Sequence, residues 1–152
     1  MAPVVGQGFL DAPGFGRLHL TWSKKGLVSL AFPETFEGSY GQGASKGDAP
    51  PEQKVPEIYA KPLLRYFGGE PVEPAKLPVD LQGTVFQRRV WEALRHVPRG
   101  RVRSYASIAT DVHAPRAMRA VGMANSKNPI PIVVPCHRIV EQGNRLGGYS
   151  GG

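Results

Sequence analysis

The sequence predicts an α+β protein built from two small domains, and three observations lead to this prediction. Residues that alternate between apolar and polar dominate the first third, helical repeats of apolar residues begin near residue 84, and the positive charge is concentrated in the second half. With 152 residues, 41% of them hydrophobic, the chain can bury one modest core or two small ones. We therefore expect an N-terminal domain over residues 1–78 and a C-terminal domain over residues 79–152.

A β-hairpin is predicted near the start of the first domain. Residues 15–22 alternate between apolar and polar, residues 23–26 are turn formers, and residues 27–32 alternate again before Pro33 ends the pattern. Residues 34–56 are rich in glycine, proline and polar side chains, which predicts a long surface loop.

A short helix is predicted to complete the first domain. Residues 55–67 carry apolar side chains near a helical period, and Gly68-Gly69 follows as a stop signal. The side chains expected to be buried are Ile58, Leu63, Leu64 and Phe67. Residues 70–82, with three prolines, are expected to connect the two domains.

The second domain is predicted to begin with a capped helix. Thr84 and Gln87 have the spacing of a capping box, in which each side chain bonds the backbone of the other residue. Apolar residues then recur near a helical period until Pro98-Arg99-Gly100 breaks the helix. They are Phe86, Val90, Leu94 and Val97.

Two further helices are predicted to form a helix-turn-helix. Ser104 can cap the first, over residues 105–112, which would bury Ile108 and Val112. His113-Ala114-Pro115 makes the turn, and a third helix over residues 116–125 opens with Arg116 and carries Arg119. Its inward side chains are expected to be Met118, Val121 and Gly122.

The charge is divided unevenly between the two domains. Residues 1–78 hold eight Lys/Arg against eight Asp/Glu, whereas residues 79–152 hold eleven against four, and ten of the eleven are arginines, Arg103 among them. Arginine suits bidentate contacts with phosphates and base edges. The second domain therefore indicates a polyanionic partner, most simply nucleic acid, although a solvated basic face is the alternative.

Composition also excludes several classes of protein. A single cysteine permits no internal disulfide and no cysteine-based zinc site, and the four histidines lack ligand spacing, so we expect neither metal nor cofactor. No apolar run is long enough to span a bilayer and no leader precedes the first domain, so we expect a cytoplasmic protein without membrane contact. A thiol used as a nucleophile needs such a reducing compartment.

The only cysteine, Cys136, lies beside His137 at the end of an apolar segment, residues 130–140, that we expect to be extended. A free cysteine titrates near ~8.5, so a neighbouring base or cation is needed to make its sulfur a useful nucleophile at neutral pH. The pattern indicates a reactive thiol, and the alternative is a small buried hydrophobic residue.

The motifs around Cys136 resemble those of the O6-alkylguanine-DNA alkyltransferases, also called methylated-DNA-protein cysteine methyltransferases. The motifs that carry the resemblance are, in order, Gly83-Thr84-Val85-Phe86-Gln87, Val90-Trp91-Glu92-Ala93-Leu94, Val97-Pro98-Arg99-Gly100, Ser104-Tyr105, Arg119-Ala120-Val121-Gly122, Asn128-Pro129, Pro135-Cys136-His137-Arg138 with Ile139-Val140, and Gly148-Tyr149-Ser150-Gly151-Gly152. They cover residues 81–152.

The resemblance implies a small ribonuclease-H-like N-terminal domain and a C-terminal alkyltransferase domain of helix-turn-helix or winged-helix type. It implies direct reversal of damage: O6-alkylguanine is flipped out of double-stranded DNA, and its alkyl group passes irreversibly to Cys136. Each molecule would act once, as a monomer and without a cofactor.

The resemblance also assigns roles to individual residues. Arg119 matches the arginine that fills the space left by the flipped base, and Tyr105 matches a tyrosine that helps rotate the phosphate and stabilises charge on the leaving guanine. His137 matches a base that deprotonates Cys136 through a water, and Arg138 is expected to be structural. Asn128 matches an asparagine that ties the end of the recognition helix to the cysteine segment.

The remaining matches concern substrate and DNA contacts. Pro131, Tyr149 and Ser150 match pocket-lining positions, and the backbone of Cys136 and Ile139 is expected to contact the guanine amino group. Arg116 and Arg103 are expected to contact DNA.

Two departures from the family pattern concern the sequence end and the recognition helix. Family members continue into a helix whose glutamate orients the histidine, whereas this sequence ends at Gly152, and we do not expect Glu141 to take that role. Met123 stands where the family generally has a second glycine, so the helix is expected either to pack or to approach DNA slightly differently.

Two other functions are alternatives to alkyl transfer. A non-catalytic alkyltransferase-like protein that flags lesions would lack the cysteine, and Cys136 is present. A plain DNA-binding regulator would leave Pro135-Cys136-His137-Arg138 unexplained.

Overall fold

The computed structural model describes residues 2–32 and 50–140, and its elements are those of an α+β protein. The chain divides into two compact units, Met1–Gln82 and Gly83–Gly152. The strands of the first unit are β1 (Val4–Ala12), β2 (Gly16–Ser23) and β3 (Leu27–Ala31), and its helix is α1 (Glu57–Phe67). The second unit contains α2 (Val85–Arg95), β4 (Arg103–Ser104), α3 (Tyr105–Asp111), α4 (Met118–Ser126) and β5 (Ile139–Val140).

The first unit is built on an antiparallel sheet with strand order β1-β2-β3. The predicted hairpin is confirmed as β2 and β3, closed by a bond that the Ser23 N–H donates to the Gly26 carbonyl. The first strand, β1, has no counterpart in the prediction because Gly6 and Gly8 interrupt its apolar pattern. A side chain at Gly6 would overlap the indole of Trp22, so close packing explains that glycine.

Helix α1 begins two residues later than predicted and buries a different face. Tyr59, Ala60 and Leu63 are buried, and of the four residues expected in the core only Leu63 is. Ile58 and Leu64 are exposed, because the side of the helix that meets the sheet is set by tertiary packing and not by the apolar period alone. Phe67 is half-buried and packs against the ring of Phe15.

The described part of the predicted 34–56 loop lies along the edge of β1. The Gln53 N–H donates to the Gln7 carbonyl at 2.8 Å, and the Gln7 side-chain amide donates to the Pro50 carbonyl at 2.9 Å. Residues 33–49 lie outside the described residues. The edge of β1 is therefore paired with chain at residues 50–53.

The boundary between the units follows Gln82, four residues beyond the expected one at Pro78. The segment after a 3-10 turn at Pro74–Lys76 bonds to β3: the Leu27 N–H donates to the Pro78 carbonyl, and the Asp80 N–H donates to the Leu27 carbonyl at 2.7 Å. Residues 77–80 are thus part of the first unit and not a free connection.

Helix α2 opens the second unit with the predicted capping box. The Gln87 N–H donates to the Thr84 hydroxyl at 3.0 Å, and the Thr84 N–H donates to the Gln87 side chain at 2.9 Å. Trp91 is fully buried, and its indole N–H donates to the Ala124 carbonyl at 2.8 Å. That bond fixes α2 against α4.

Helices α3 and α4 form the predicted helical pair. The Ser104 hydroxyl caps α3 by accepting from the Ser107 N–H, and Ile108, Val112 and Val121 are buried as predicted. The second helix begins at Met118, so Arg116 precedes it instead of opening it. Met118 is exposed and not inward: it is the first residue of α4, and the helical period alone does not determine what packs over the first turn.

None of the helices within residues 2–32 and 50–140 is long and apolar enough to cross a membrane.

Candidate functional site: the Cys136 turn and helix α4

The cysteine lies in a compact turn and not in the extended segment that we expected. Residues 130–134 fold back, with the Val134 N–H donating to the Ile130 carbonyl at 2.8 Å, and a 3-10 turn at Cys136–Arg138 follows. Only Ile139–Val140 is extended. The prolines at positions 129, 131 and 135 fix the backbone and remove N–H donors, which disfavours a continuous strand.

Ile132 marks a strained point in this segment. Its φ of 77° lies in the left-handed region, which a β-branched residue seldom occupies. Such a conformation costs about 1–3 kcal/mol and persists only where the surrounding contacts impose it. The fold-back between Ile130 and Val134 imposes it here.

Asn128 supplies the contacts that hold this fold-back. Its side-chain amide donates to the Val134 carbonyl at 2.7 Å, and its side-chain oxygen accepts from the Ile130 N–H at 2.9 Å. The Asn128 N–H in turn donates to the carbonyl of Asn125 in α4. One residue thus joins the end of α4, through its backbone, to the segment that delivers the cysteine, through its side chain.

Cys136 itself is buried, with 5% of its surface exposed, and its N–H donates to the Val134 carbonyl at 2.8 Å. The next residue, His137, is exposed. Arg138 is buried again, and its guanidinium donates to the Val97 carbonyl at 2.9 Å. The turn therefore holds a shielded thiol next to an accessible imidazole, with an arginine anchoring it to the chain that follows α2.

Tyr105 is brought to this turn by a short parallel pairing. Arg103 pairs with Ile139 and Ser104 with Val140, so the start of α3 lies beside the strand that follows the cysteine. The ring of Tyr105 also approaches α4, since a side-chain atom at Gly122 would lie 4.0 Å from its Cε1. Tyr105 thus lies near both the cysteine segment and α4.

The cationic residues expected to contact DNA differ in their surroundings. Arg119 is exposed on α4, and Arg116 is exposed just before it. The guanidinium of Arg103 donates to the Asp111 carboxylate at 2.7 Å and to the Ser107 hydroxyl at 2.9 Å. Arg103 is therefore engaged within its own unit.

The other predicted site residues fall in three groups. Pro131 is half-buried in the fold-back, and the side chain of Ile139 is fully buried, which leaves its backbone for any contact. Tyr149 and Ser150 lie outside the described residues, as does Glu141. Asp111 was not singled out in the sequence, because its partner Arg103 lies eight residues away, beyond the spacings that a helix pattern predicts.

Among residues 2–32 and 50–140 there is no group of three or more His, Cys, Asp and Glu side chains placed to hold a metal ion.

Comparison with known protein families gives a match within the second unit. The model of the 6-O-methylguanine DNA methyltransferase, DNA binding domain, matches residues 85–152. The methylated-DNA–protein-cysteine methyltransferase of Mycobacterium leprae (strain TN) is 56% identical over 90 residues, which are 59% of this chain and 54% of that protein. The chain thus spans about half the length of this curated relative.

A second relative matches over nearly the whole chain. The methylated-DNA–protein-cysteine methyltransferase of Methanosarcina barkeri (strain Fusaro / DSM 804) is 45% identical over 147 residues, which cover 94% of this chain and 87% of that protein.

Solved structures are similar over the same extent. The crystal structure of Mycobacterium tuberculosis OGT in complex with DNA has a TM-score of 0.79 and 38% sequence identity, covering 97% of this chain and 86% of that one. The O6-methylguanine-DNA methyltransferase of Pyrococcus kodakaraensis strain KOD1 has a TM-score of 0.67 at 26% identity, covering 96% and 92%.

Proposed function

Because the chain belongs to the methylated-DNA–protein-cysteine methyltransferase family, we propose that it reverses O6-alkylguanine damage in double-stranded DNA by accepting the alkyl group on Cys136. The observation that supports this most strongly is the turn at Cys136–Arg138, a shielded thiol held by Asn128 beside an exposed imidazole. The products are repaired guanine and a thioether, so each molecule acts once.

The transfer is a displacement at the alkyl carbon. The Cys136 sulfur, as thiolate, attacks that carbon, the carbon–sulfur bond forms, and the bond to guanine O6 breaks with its electron pair moving to the base. His137 takes the thiol proton through a water, Tyr105 donates a hydrogen bond to the guanine ring as negative charge develops there, and a proton taken up by the ring from solvent gives neutral guanine. The position of Tyr105, beside the strand that follows Cys136, supports this role.

DNA must first yield the alkylated base, because O6 is shielded in a stacked pair. We propose that α4 is the recognition helix and that Arg119, exposed on it, occupies the space of the flipped base. Arg116 contacts the phosphate backbone nearby. Asn128 keeps the cysteine in register with this helix through its bonds to both segments.

The finer description of the two units belongs to the same proposal. The antiparallel sheet with α1 supports a ribonuclease-H-like first domain, and the pairing of β4 with β5 next to α3 and α4 supports a winged helix-turn-helix in the second. A thiol nucleophile that must stay reduced supports a cytoplasmic location. Nucleophile, base and recognition helix lie on one chain, which supports action as a monomer.

A labelled-methyl assay tests the proposed function. Duplex DNA containing O6-[³H-methyl]guanine should transfer its label to the protein, and Cys136→Ser should abolish the transfer while DNA binding stays nearly intact. The serine variant is the matched control, since it keeps the shape and neutral charge of the side chain. Label reaching the serine variant would contradict the assignment of the acceptor, and a wild-type protein that binds the lesion without taking label would favour the non-catalytic alternative.

A further inference from the structure

Helix α4, which carries the exposed Arg119, also exposes two large apolar side chains. Met118 and Met123 are 48% and 60% exposed, although burial of a methionine is normally favourable. The buried side of the helix consists of Val121, Ala124 and Asn125. The two methionines are therefore exposed although the buried side of the same helix is well packed.

Helical spacing groups these side chains around Arg119. Met123 follows Arg119 by four residues and so neighbours it one turn on, and Met118 stands in the same relation to Gly122. Gly122 has no side chain and Ser126 has a short one, so at these two positions the helix surface does not project as far as it does at the methionines. We call Met118 and Met123 the methionine ridge.

Charge identifies the partner that this surface fits. The unit at residues 83–152 carries eleven Lys/Arg against three Asp/Glu, and Arg116, Arg119 and Lys127 are all exposed on or beside α4. A single exposed apolar side chain is ordinary, but two that flank an arginine on a cationic helix are more informative. In a polyanionic duplex, apolar surface is found on the sugars and base edges inside a groove.

We propose that the methionine ridge contacts deoxyribose and base edges of the DNA groove on both sides of Arg119, and so positions that arginine at the lesion. The inference rests on the proposed function and adds two positioning residues to it. Methionine suits this task because its flexible thioether adapts to irregular apolar surfaces, including partly unstacked base steps.

The proposal has two consequences that a charge contact would not share. Apolar contacts release no counterions, so the ridge adds affinity without changing the slope of affinity against salt. A free alkylated base has no flanking nucleotides, so its reaction with Cys136 should not involve the ridge.

The test uses the full chain with Met118→Gln and Met123→Gln combined. Glutamine keeps the length and helix propensity of methionine at these exposed positions, so the thermal unfolding midpoint should be unchanged. We expect the dissociation constant for a duplex containing O6-methylguanine to rise about tenfold, the equivalent of about 1.4 kcal/mol. The salt slope and the rate with free O6-benzylguanine should stay at wild-type values.

Two control variants sharpen the comparison. Val85→Thr makes a similarly exposed apolar residue of the same unit polar, on α2 instead of α4, and should leave duplex affinity within about twofold of wild type. Combined Met118→Leu and Met123→Leu retains the apolar contact and should restore binding.

The inference is overturned if the glutamine variant binds the duplex as wild type does, if Val85→Thr weakens binding equally, if the salt slope changes, or if the free base reacts more slowly. Failure of the proposed function would look different: wild-type protein would take no alkyl group on Cys136, whereas the affinity comparison would still measure the ridge.

Discussion

Cys136 takes its position from its neighbours more than from its own packing. Its N–H bonds to Val134, whose carbonyl also accepts from Asn128, and the next two residues separate into an exposed His137 and a buried Arg138. A thiol that must attack one carbon atom in line needs such fixed placement, because small displacements are costly for transfer rates.

Replacing Asn128 tests that placement. Asn128→Ala removes two side-chain hydrogen bonds and leaves the Ile130 N–H and the Val134 carbonyl without their partner, which should destabilise the protein by about 2 kcal/mol. Alkyl transfer from duplex and from free O6-benzylguanine should fall together, because the cysteine itself is displaced. Asn128→Asp keeps the acceptor for Ile130 and should lose less stability. Denaturant unfolding and single-turnover rates measure both variants, and an alanine variant of wild-type stability would contradict the proposal that Asn128 holds the fold-back.

Replacing Arg119 should slow the repair of duplex DNA without lowering stability, unlike replacing Asn128. Arg119→Ala removes an exposed side chain, so stability should not change, but repair of duplex DNA should slow by about 10- to 100-fold because extruding a base costs a few kcal/mol. Reaction with free O6-benzylguanine needs no extrusion and should be nearly unaffected. Arg116→Ala is the control for charge alone, and equal loss on both substrates would show that Arg119 acts in the pocket or in folding.

At the level of elements, local signals were predicted well and long-range ones were not. The hairpin of β2 and β3, the capping box of α2 and the serine cap of α3 depend on residues a few positions apart. The buried side of α1 depends on packing against partners far along the chain, whereas the turn at Cys136–Arg138 follows a local fold-back that the apolar pattern of residues 130–140 does not reveal. Strand β1 could not be predicted, because the sequence does not show that Gly6 makes room for the indole of Trp22.

The capping box gives a simple test at this scale. Thr84→Ala removes the acceptor for the Gln87 N–H and should lower the free energy of unfolding by about 1 kcal/mol, whereas Thr84→Ser keeps the hydroxyl and should cost much less. Chemical denaturation monitored through Trp91, which lies in this helix, measures the difference. Equal stability of the alanine and serine variants would show that the cap contributes nothing.

Asp80 gives a pH test of how residues 77–80 are held on the sheet. Burial alone would raise the pKa of this carboxyl, but hydrogen bonds from the Ser23 hydroxyl, the Ala2 N–H and the Gln82 amide outweigh it and lower the pKa. Because the folded-state pKa lies below the unfolded value, the stabilisation is present above about pH 4 and is lost as the pH falls through the folded value. Asp80→Asn should therefore be less stable than wild type at pH 7, and its free energy of unfolding should change less as the pH falls. Unfolding curves of both proteins from pH 7 to 2 measure this, and parallel pH profiles of the two proteins would contradict the prediction.

Over the whole molecule, the two units differ in charge. The unit at residues 1–82 carries eight Lys/Arg against nine Asp/Glu, whereas the unit at residues 83–152 carries eleven against three. This division could be predicted because charge is countable in a sequence. The ion pair between Arg103 and Asp111 could not be predicted, because it depends on how β4 and α3 pack.

The charge division predicts how affinity depends on salt. If four or five arginines of the second unit touch phosphate, the logarithm of the affinity for undamaged DNA should fall with a slope of about −4 against the logarithm of salt concentration. Arg116→Gln should reduce that slope by about 0.9, whereas Lys61→Gln, an exposed cation of the first unit, should leave it unchanged. A salt series for the three proteins makes the comparison, and a salt-independent affinity or an equal effect of Lys61→Gln would assign the DNA surface elsewhere.

The central claim, that this chain repairs DNA by consuming its own cysteine, is tested most directly by intact mass before and after incubation with excess O6-methylguanine duplex. We predict a gain of one methylene mass per molecule, located by peptide mapping on the peptide that contains Cys136, and no further gain however much duplex is added. An unchanged mass, a gain on another peptide, or continued turnover of the lesion by unmodified protein would contradict the account.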